Sequence, residues 1–397
     1  MGESPKSAQY FHMIWSRLEA RKQLRHGFVS ELTGLEKNDP HLQDGKNETV
    51  KYKVFASTWN VGGVAPPDDL DLKDLLDTET DYYDIYVLGF QEVVPLNARN
   101  VLGPKRRSAA TKWHSLIADA LNNNRRGRRQ EAVARAGRAP QRQWRQEEEK
   151  FVCVMSKQMV GIFVSVWARS GLRRHVRHAG VSSVGAGVLG RLGNKGAVSV
   201  RFLLHRTSFC FVCCHLASGG GGGAARRNAD AAEILSRTSF LQDLHSSGGA
   251  PATADLPKKI LDHDRVVLLG DLNYRIAMDG GEARQLVGAR KWGMLLENDE
   301  LLLELSAGRQ FDGWREGHVT FAPTYKYRPN SDEFHDSAGG TGHRRKQHRA
   351  PAWCDRILWR GKGMGQARYE RCGGYRLSDH RPVRAVFHTV CEVAEGI

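Results

Sequence analysis

The chain has few cysteines and no long apolar run, and each shortage excludes a class of protein. Seven cysteines among 397 residues are too sparse for a disulfide framework, which favours a reducing, intracellular setting. No run of about 18 apolar residues exists, so no bilayer-spanning helix is predicted. The first residues lack a basic segment followed by an apolar one, which argues against a secretory signal. Lys6 stands where a myristoylation signal has Ser or Thr.

Acidic residues are outnumbered by basic ones. The chain has 59 Lys and Arg against 44 Asp and Glu, which gives a net charge of +15. Such an excess favours a polyanionic partner, whether nucleic acid, an anionic membrane surface or a phosphorylated small molecule. Charge alone does not choose among these, but the 40% hydrophobic content is enough to build a sizeable core.

Short apolar segments alternate with polar stretches along the chain. Strands are predicted at 51–58, 86–90, 151–154, 159–167, 196–204, 208–215, 266–269, 357–359 and 383–387, and helices at 112–121, 228–245 and 297–305. This interleaving indicates a layered α/β or α+β fold. The basic, polar segment 122–149 is interpreted as a solvated, low-complexity insertion in a loop. We expect an N-terminal extension over 1–50 and one catalytic domain over 51–390.

Polar side chains recur where the predicted strands end or begin. These positions are Asn60, Glu92, His215, Asp271, Asn273, Asp355, Asp379 and His380. Taken singly, each is more simply a turn cap, a loop start or a satisfied buried histidine. Taken together, so many acids and amides at strand ends would be costly unless they converge on an ion or on one another. We therefore expect them to line one cleft at the edge of a sheet.

Oxygen ligands dominate this set and favour magnesium. Asn60, Glu92 and Asp379 offer only oxygen atoms, which suit Mg²⁺ together with substrate phosphate. No cluster of thiolates and imidazoles has zinc spacing. Cys210 and Cys213 form a single CxxC inside an apolar strand and are expected to be buried core thiols.

The remaining strand-end residues fit hydrolysis of a phosphoester. Asp355 and His380 would form a pair in which the carboxylate raises the pKa of the imidazole. Asp271 is a candidate base for water, and Asn273 a neutral donor to a phosphoryl oxygen. Metal, base, donor and charged pair together describe metal-assisted attack of water on phosphorus, without a covalent nucleophile.

A second group of candidates is basic. Lys195 lies in the Gly-rich turn 190–196, which does not match a P-loop because no GxxxxGK[ST] pattern is present. Tyr325, Lys326 and Arg349 lie in separate loops. If those loops border the cleft, their side chains would bind additional phosphates of the substrate. Ordinary solvated lysine and arginine are the alternative interpretation.

Eight short blocks closely resemble the inositol polyphosphate 5-phosphatases, a branch of the exonuclease–endonuclease–phosphatase superfamily, and most of all the plant members. The blocks are TWNV (58–61), GFQE (89–92), GNKG (193–196), CHL (214–216), GDLNYR (270–275), FAPTYKY (321–327), PAWCDR (351–356) and SDHRPV (378–383). The resemblance implies an α/β, DNase I-like fold, a four-layer sandwich of two packed β-sheets flanked by helices. It also implies magnesium-dependent removal of the 5-phosphate, by water, from phosphoinositides such as phosphatidylinositol 4,5-bisphosphate or from soluble inositol polyphosphates.

The resemblance further implies a role for each matching residue. The metal would be held by Asn60 and Glu92. The catalytic group would be Asp271 as activator of water, Asn273 and His215 at the scissile phosphate, His380 with Asp355 at the pentavalent state, and Asp379 supporting metal or water. The substrate-binding group would be Arg275 near the phosphate, Tyr325, Lys326 and Arg349 at the 4-phosphate, and Asn194 and Lys195 near the 1-phosphate. Gln347 stands where the family often has a second basic residue.

Two alternatives remain open from the sequence. A nuclease of the same superfamily would suit the positive charge, but Tyr325-Lys326 and the PAWCDR block argue against nucleic acid. A catalytically inactive phosphoinositide-binding scaffold is disfavoured because none of the strand-end positions is substituted. We expect a cytoplasmic protein in peripheral contact with the cytosolic face of an anionic membrane, with the nucleus as a further location. Each well-placed basic residue would contribute about 1 kcal/mol to that contact.

Overall fold

The computed structural model describes residues 48–97, 108–123, 150–187, 192–219, 223–240, 256–335 and 350–393. The N-terminal extension up to residue 47, the insertion from 124 onward and Arg349 lie outside the described residues.

Two six-stranded sheets form the centre of the fold. The first six-stranded set consists of β1 (Thr49–Asn60), β2 (Ile85–Gln91), β3 (Phe151–Met159), β4 (Ile162–Arg169), β11 (Met364–Arg371) and β12 (Val383–Glu392). Its strand order, in what we call sheet A, is β11-β12-β1-β2-β4-β3. The second set consists of β5 (Val176–Gly185), β6 (Gly196–Leu204), β7 (Thr207–His215), β8 (Arg265–Asp271), β9 (Arg315–Glu316) and β10 (Asp355–Arg360). Its order, in sheet B, is β5-β6-β7-β8-β10-β9.

Each sheet contains one parallel pair of strands, and these pairs determine where the site lies. β1 runs parallel to β2 with Asn60 opposite Gln91, and β7 runs parallel to β8 with His215 opposite Asp271. β10 runs antiparallel to β8, so that it begins with Asp355 opposite Asp271. β12 likewise begins beside the end of β1. The carboxyl ends of four strands and the amino ends of two others therefore meet at one edge of the sandwich.

Three separate apolar layers show that the fold has four layers of secondary structure. Val54 and Phe211 belong to the layer between the sheets. Trp59 and Trp113 belong to the layer between sheet A and its helices, α1 (Lys73–Leu76) and α2 (Ser108–Asn122). Ile234 belongs to the layer between sheet B and its helices, which include α3 (Gly223–Arg237) and α6 (Glu300–Ala307). Two short helices, α4 (Gly280–Gly288) and α5 (Trp292–Leu296), precede α6. The α/β four-layer sandwich is thus confirmed.

β1 shows how the sequence produces this layering. Tyr52, Val54 and Ala56 alternate along the strand and enter the layer between the sheets. Phe55 points to the opposite face and is completely buried in the layer beneath the helices. Removing a Phe side chain from water contributes roughly 1.5–3 kcal/mol, so both faces of this strand stabilise the fold.

Most predicted strands are present, but one prediction was wrong and several elements were missed. The segment 159–167 is not one strand, because β3 ends at Met159 and β4 begins at Ile162, with a left-handed Val160 (φ +50°) between them. Val160-Gly161 carries no strong turn signal that would reveal this hairpin. β5 was missed because Arg, His, Ser and Gly residues separate its valines and a bulge between Arg177 and Gly180 interrupts its pairing. The elements α1, α4, α5, β9 and β11 were also not predicted.

The cysteines follow the sequence-based expectation. All seven thiols are free, and Cys210 and Cys213 are completely buried in β7. Burial raises the pKa of the Cys213 thiol to about 12, so it is a core residue and not a reactive thiolate. Among the described residues, no helix combines the length and the apolar character that crossing a membrane requires.

A completely buried arginine fixes the start of β10. Arg356 donates from Nη1 to both carboxylate oxygens of Asp299 at 2.9 Å, and from Nε and Nη2 to Glu316 at 2.6 Å. Asp299 is the N-cap of α6, and Glu316 lies in β9. The arginine therefore ties β10 to α6 and β9 directly beside Asp355.

We predict that Arg356→Met lowers the free energy of unfolding by about 3–5 kcal/mol, because it leaves two carboxylates buried without their cation. Arg376→Met is the matched control, since Arg376 pairs with Asp332 where both side chains are 45–60% exposed. Arg376→Met should lower the free energy of unfolding by less than about 1 kcal/mol. Urea denaturation followed by circular dichroism measures both, and equal losses would contradict the prediction.

Candidate active site

Asp271, the last residue of β8, lies at the centre of the site. Its Oδ2 atom lies 2.9 Å from Nδ2 of Asn60, 3.2 Å from Nε2 of His215 and 4.0 Å from Nε2 of His380. Its Oδ1 atom accepts a hydrogen bond of 3.1 Å from the backbone N–H of Asn273. The carboxylate is 2% exposed. Groups from both sheets thus surround one buried carboxylate.

Asn60 and Glu92 lie together at the ends of β1 and β2. Nδ2 of Asn60 lies 3.4 Å from Oε1 of Glu92, which is itself 3.7 Å from Nε2 of His215. Oδ1 of Asn60 accepts a hydrogen bond of 2.9 Å from the backbone N–H of Gly62. The Glu92 backbone is left-handed (φ +55°), and its side chain is 28% exposed. Glu92 is therefore the more solvent-accessible of the two carboxylates near Asn60.

Asp355 and His380 form the expected pair. Nδ1 of His380 lies 2.8 Å from Oδ2 of Asp355, and both residues are buried. The hydroxyl oxygen of Thr324 accepts a hydrogen bond of 3.2 Å from the backbone N–H of Asp355, and this contact fixes the start of β10. The ring of Tyr325 packs against the imidazole with 4.5 Å between ring centroids. The imidazole is consequently held with Nε2 directed toward Asp271.

Lys195 lies inside this cluster. Its ammonium contacts Nε2 of His215, the same atom that faces Asp271 and Glu92. Burial lowers the pKa of Lys195, and the charges of Asp271 and Glu92 oppose that change. The side chain therefore brings a cation to the carboxylates at the ends of β2 and β8. The sequence-based role of Lys195, contact with a 1-phosphate, stays a prediction.

The Asn273 amide is held at both of its ends. Its Oδ1 atom accepts a hydrogen bond of 2.7 Å from Nη2 of Arg275, and its Nδ2 donates to the carbonyl oxygen of Leu216 at 3.0 Å. The backbone is left-handed (φ +58°), a conformation that asparagine tolerates better than most residues. The Arg275 guanidinium lies 4.7 Å from the ring centroid of Tyr325. Asn273 therefore connects the loop after β7 to the loop after β8.

Burial and neighbouring charges shift the pKa values of Asp271, His380 and His215. Burial alone would raise the pKa of Asp271, but the charge of His380 and the contact with His215 hold it well below its usual range. Burial alone would lower the pKa of His380, but Asp355 and then Asp271 raise it to about 9. For His215, burial and the neighbouring Lys195 lower the pKa. At neutral pH the site thus holds an ionised Asp271, an imidazolium at His380 and a neutral imidazole at His215.

The other predicted residues lie toward the rim. Asp379 is 30% exposed, and its Oδ2 atom lies 3.4 Å from Nζ of Lys326. Gly62 sits beside it, since a Cβ added there would lie 3.8 Å from Oδ1 of Asp379. Asn194 lies in the turn before β6 and is half-buried. Arg349, predicted to bind a 4-phosphate, lies outside the described residues.

Two groups of side chains could hold a cation. Asp271, Asp355 and His380 place their ligand atoms within 4.8 Å of one another, but Oδ2 of Asp355 is already paired with Nδ1 of the His380 imidazolium. Asn60, Glu92 and Asp271 instead offer an amide and two carboxylates, and the imidazole that both carboxylates contact, His215, is neutral at pH 7. Oxygen donors of this kind suit magnesium, whereas an imidazolium cannot bind any cation. The residues at the ends of β1, β2 and β8 therefore fit a divalent cation better.

Sequence reasoning missed the contribution of Thr324 and the contact of Lys195 with His215. The Thr324 hydroxyl accepts hydrogen bonds from the backbone N–H groups of Cys354 and Asp355. Its only signal was its place within the FAPTYKY block. The contact of Lys195 with His215 joins the residue before β6 to the last residue of β7, and it depends on a strand register that single-sequence patterns do not reveal.

Comparison with known proteins places this geometry among related chains. The model of the Endonuclease/Exonuclease/phosphatase family 2 matches residues 57–386. Type IV inositol polyphosphate 5-phosphatase 9 of Arabidopsis thaliana is 49% identical, over 95% of this chain and 91% of its own length. Type I inositol polyphosphate 5-phosphatase 8 of the same plant is 46% identical, over 86% and 71%.

A solved structure is also similar. It is the inositol polyphosphate 5-phosphatase domain of SPsynaptojanin in complex with inositol (1,4)-bisphosphate and a calcium ion. Its TM-score is 0.68 at 27% identity, and the match covers 88% of this chain and 87% of that domain.

We predict that His380 titrates with a pKa of about 9 in the chelator-treated protein. This value lies above the ordinary histidine pKa of about 6.5. Protonation of His380 therefore stabilises the fold fully below pH 6.5, and the stabilisation is lost as the pH rises through 9. NMR of labelled histidines, with His380→Gln for assignment, measures the pKa. Asp355→Asn should lower it.

His388 is the internal control for that titration. Burial lowers the pKa of His388, which lies on β12, and Asp355→Asn should leave it unchanged. A His380 that titrates at or below its ordinary value in the parent protein would contradict the charged pair.

Proposed function

The chain belongs to the inositol polyphosphate 5-phosphatases, within the endonuclease/exonuclease/phosphatase family, and from this membership we propose that it is a magnesium-dependent enzyme that hydrolyses the 5-phosphate of phosphatidylinositol 4,5-bisphosphate. The observation that carries the proposal is the buried contact of Asp271 with Asn60 and His215, beside the pair of Asp355 and His380. An inactive scaffold would not need this costly set of buried polar groups.

Magnesium would be held by Glu92, Asn60 and the nearby Asp271. The Asn60 amide now directs its nitrogen at both carboxylates, so binding through oxygen requires the amide to turn about its Cβ–Cγ bond. When bound, the cation would neutralise charge that develops on the phosphoryl oxygens. We assign magnesium to these three residues because their donor atoms are hard oxygen ligands, which suit this ion.

The chain's own residues supply the remaining chemistry. Asp271, kept ionised by its neighbours, accepts a proton from the attacking water. The imidazolium of His380 lies within 4.0 Å of that carboxylate and stabilises negative charge on the phosphoryl group. Asn273 and the neutral His215 orient the phosphoryl oxygens as hydrogen-bonding groups. Water adds to phosphorus in line as the bond to the inositol oxygen breaks. The inositol oxygen takes up a proton, which balances the one that Asp271 removed from water, and the inositol hydroxyl and phosphate are released.

Recognition of the headgroup is proposed for residues at the rim. Lys326 is about a third exposed and lies beside Asp379, so its ammonium is available to a further phosphate on the inositol ring. Tyr325 is buried beneath His380 and Arg275, and it shapes the wall of the cleft between centre and rim. The net charge of +15 favours approach to an anionic leaflet. We place the enzyme at the cytosolic face of membranes.

Phosphate release across a panel of phosphoinositides and soluble inositol phosphates tests the substrate class. We predict release from substrates with a 5-phosphate, most of all from phosphatidylinositol 4,5-bisphosphate, and none from analogues that lack it. Removal of divalent cations with a chelator should abolish release, and added magnesium should restore it. Nicking of plasmid DNA together with no phosphate release would instead support the nuclease alternative.

We predict that Asn273→Ala and His380→Ala each lower turnover by about 10²-fold or more, because each removes a group that acts on the phosphoryl centre. His388→Ala, a position on β12 opposite Lys53 and away from the cleft, is the matched control and should retain turnover. Circular dichroism must show an intact fold for every variant. Collapse of Asn273→Ala or His380→Ala would mean that the residue is structural and not catalytic.

A further inference from the structure

We propose that the first two turns of α3 form a polar clamp, made of Arg227, Asn228 and Asp230, that positions His215 and Asn273. None of these three residues is a candidate ligand or catalytic group. They hold the two loops that follow β7 and β8, the strands from which the reacting side chains project. The kinetic part of the test rests on the proposed function, whereas its structural part does not.

The clamp holds the loop after β7 at two points. The backbone N–H of Ala217 donates to Oδ2 of Asp230 at 2.8 Å. Nη2 of Arg227 donates to the carbonyl oxygen of Gly219 at 2.9 Å. Ala217 is two residues after His215, so these contacts fix the direction in which the chain leaves the strand.

The clamp also holds the loop after β8. The hydroxyl of Tyr274 donates to Oδ1 of Asn228 at 2.5 Å. Nη1 of Arg227 donates to Oε2 of Glu300 at 2.8 Å, and the same oxygen accepts the backbone N–H of Arg275 at 2.9 Å. Tyr274 and Arg275 are the two residues directly after Asn273, so α3 and α6 together hold this turn.

Asn273 closes the connection between the two loops. Its amide accepts from the Arg275 guanidinium and donates to the carbonyl oxygen of Leu216. Leu216 lies between His215 and the clamped Ala217. A displacement of either loop would therefore turn or release the amide, which is the group proposed to orient the scissile phosphate.

The burial of Arg227 indicates that this arrangement is not ordinary packing. The residue is 1% exposed, on a helix face where an apolar side chain would avoid the cost of burying a cation. Only one of its hydrogen-bond partners, Glu300, is charged, and another is a loop carbonyl oxygen. The guanidinium also lies 5.6 Å from the ring centroid of Tyr274. Its contacts thus converge on the segments that carry the site.

Arg227→Met tests the clamp, with Arg201→Met as matched control. Arg201 is also a buried arginine that donates to a backbone carbonyl oxygen, that of Pro257, and lies over a ring, that of Phe240, but away from the site. We expect kcat to fall by about 10–100-fold in Arg227→Met, with KM changed less than about twofold, because misplacement by about 1 Å has such effects. Arg201→Met should keep the parent's kcat.

Asp230 offers a conservative rescue. Asp230→Asn keeps an oxygen that accepts the Ala217 N–H and should retain most of kcat, whereas Asp230→Ala should lose it to the same extent as Arg227→Met. Equal loss in both Asp230 variants would show that charge, and not positioning, is what matters, and would overturn the proposal. Asp230→Ala also provides the test if Arg227→Met does not fold.

Amide hydrogen exchange decides the structural part without any substrate. Peptides that contain 216–219 and 272–276 should exchange faster in Arg227→Met and Asp230→Ala than in the parent, but not in Arg201→Met. Unchanged exchange in these peptides would overturn the clamp. A parent protein that releases no phosphate would contradict the proposed function alone, because the exchange comparison still decides whether α3 holds the two loops.

Discussion

The structure depends on one costly interaction, the burial of the Asp271 carboxylate where the two sheets meet. A carboxylate that is 2% exposed remains ionised only if donors and positive charges compensate for its lost hydration. Here the compensation comes from Asn60 of sheet A, from His215 of sheet B and from Lys195 in the turn before β6, with His380 nearby. No single stretch of chain could supply these groups, so the carboxylate requires that both sheets be assembled and in register.

The topology explains how distant residues reach this point. Each sheet carries one parallel pair, β1 with β2 and β7 with β8, and parallel strands end at the same edge. Strand ends leave the backbone free to turn, which is why the left-handed residues Glu92 and Asn273 are found there. Helix α3 lies against the outside of sheet B and reaches both loops of the second pair. The strands thus determine where each side chain of the site begins. Hydrogen bonds from α3 to the loops after β7 and β8 then determine how the side chains of that pair are oriented.

Much of this could be predicted from the sequence because the signals were local. Apolar, β-branched segments such as the one that ends in Asn60 predicted strands, and the polar residues that follow them predicted the site. The hairpin at Val160 and the bulged strand β5 could not be predicted, since both depend on pairing with distant strands. The environment of Lys195 and the contacts of Arg227 likewise arise from tertiary structure alone. Roles assigned through family resemblance, such as that of Arg349, stay predictions.

Cation and phosphoryl group are proposed to meet where the ends of β1, β2 and β8 converge. Anomalous diffraction from crystals soaked with Mn²⁺, a divalent cation that also prefers oxygen ligands, tests this most directly. We expect a single strong peak within ligand distance of Glu92 and Asn60, with Asp271 beside it. A peak between Asp355 and His380, or no peak among these residues, would contradict it.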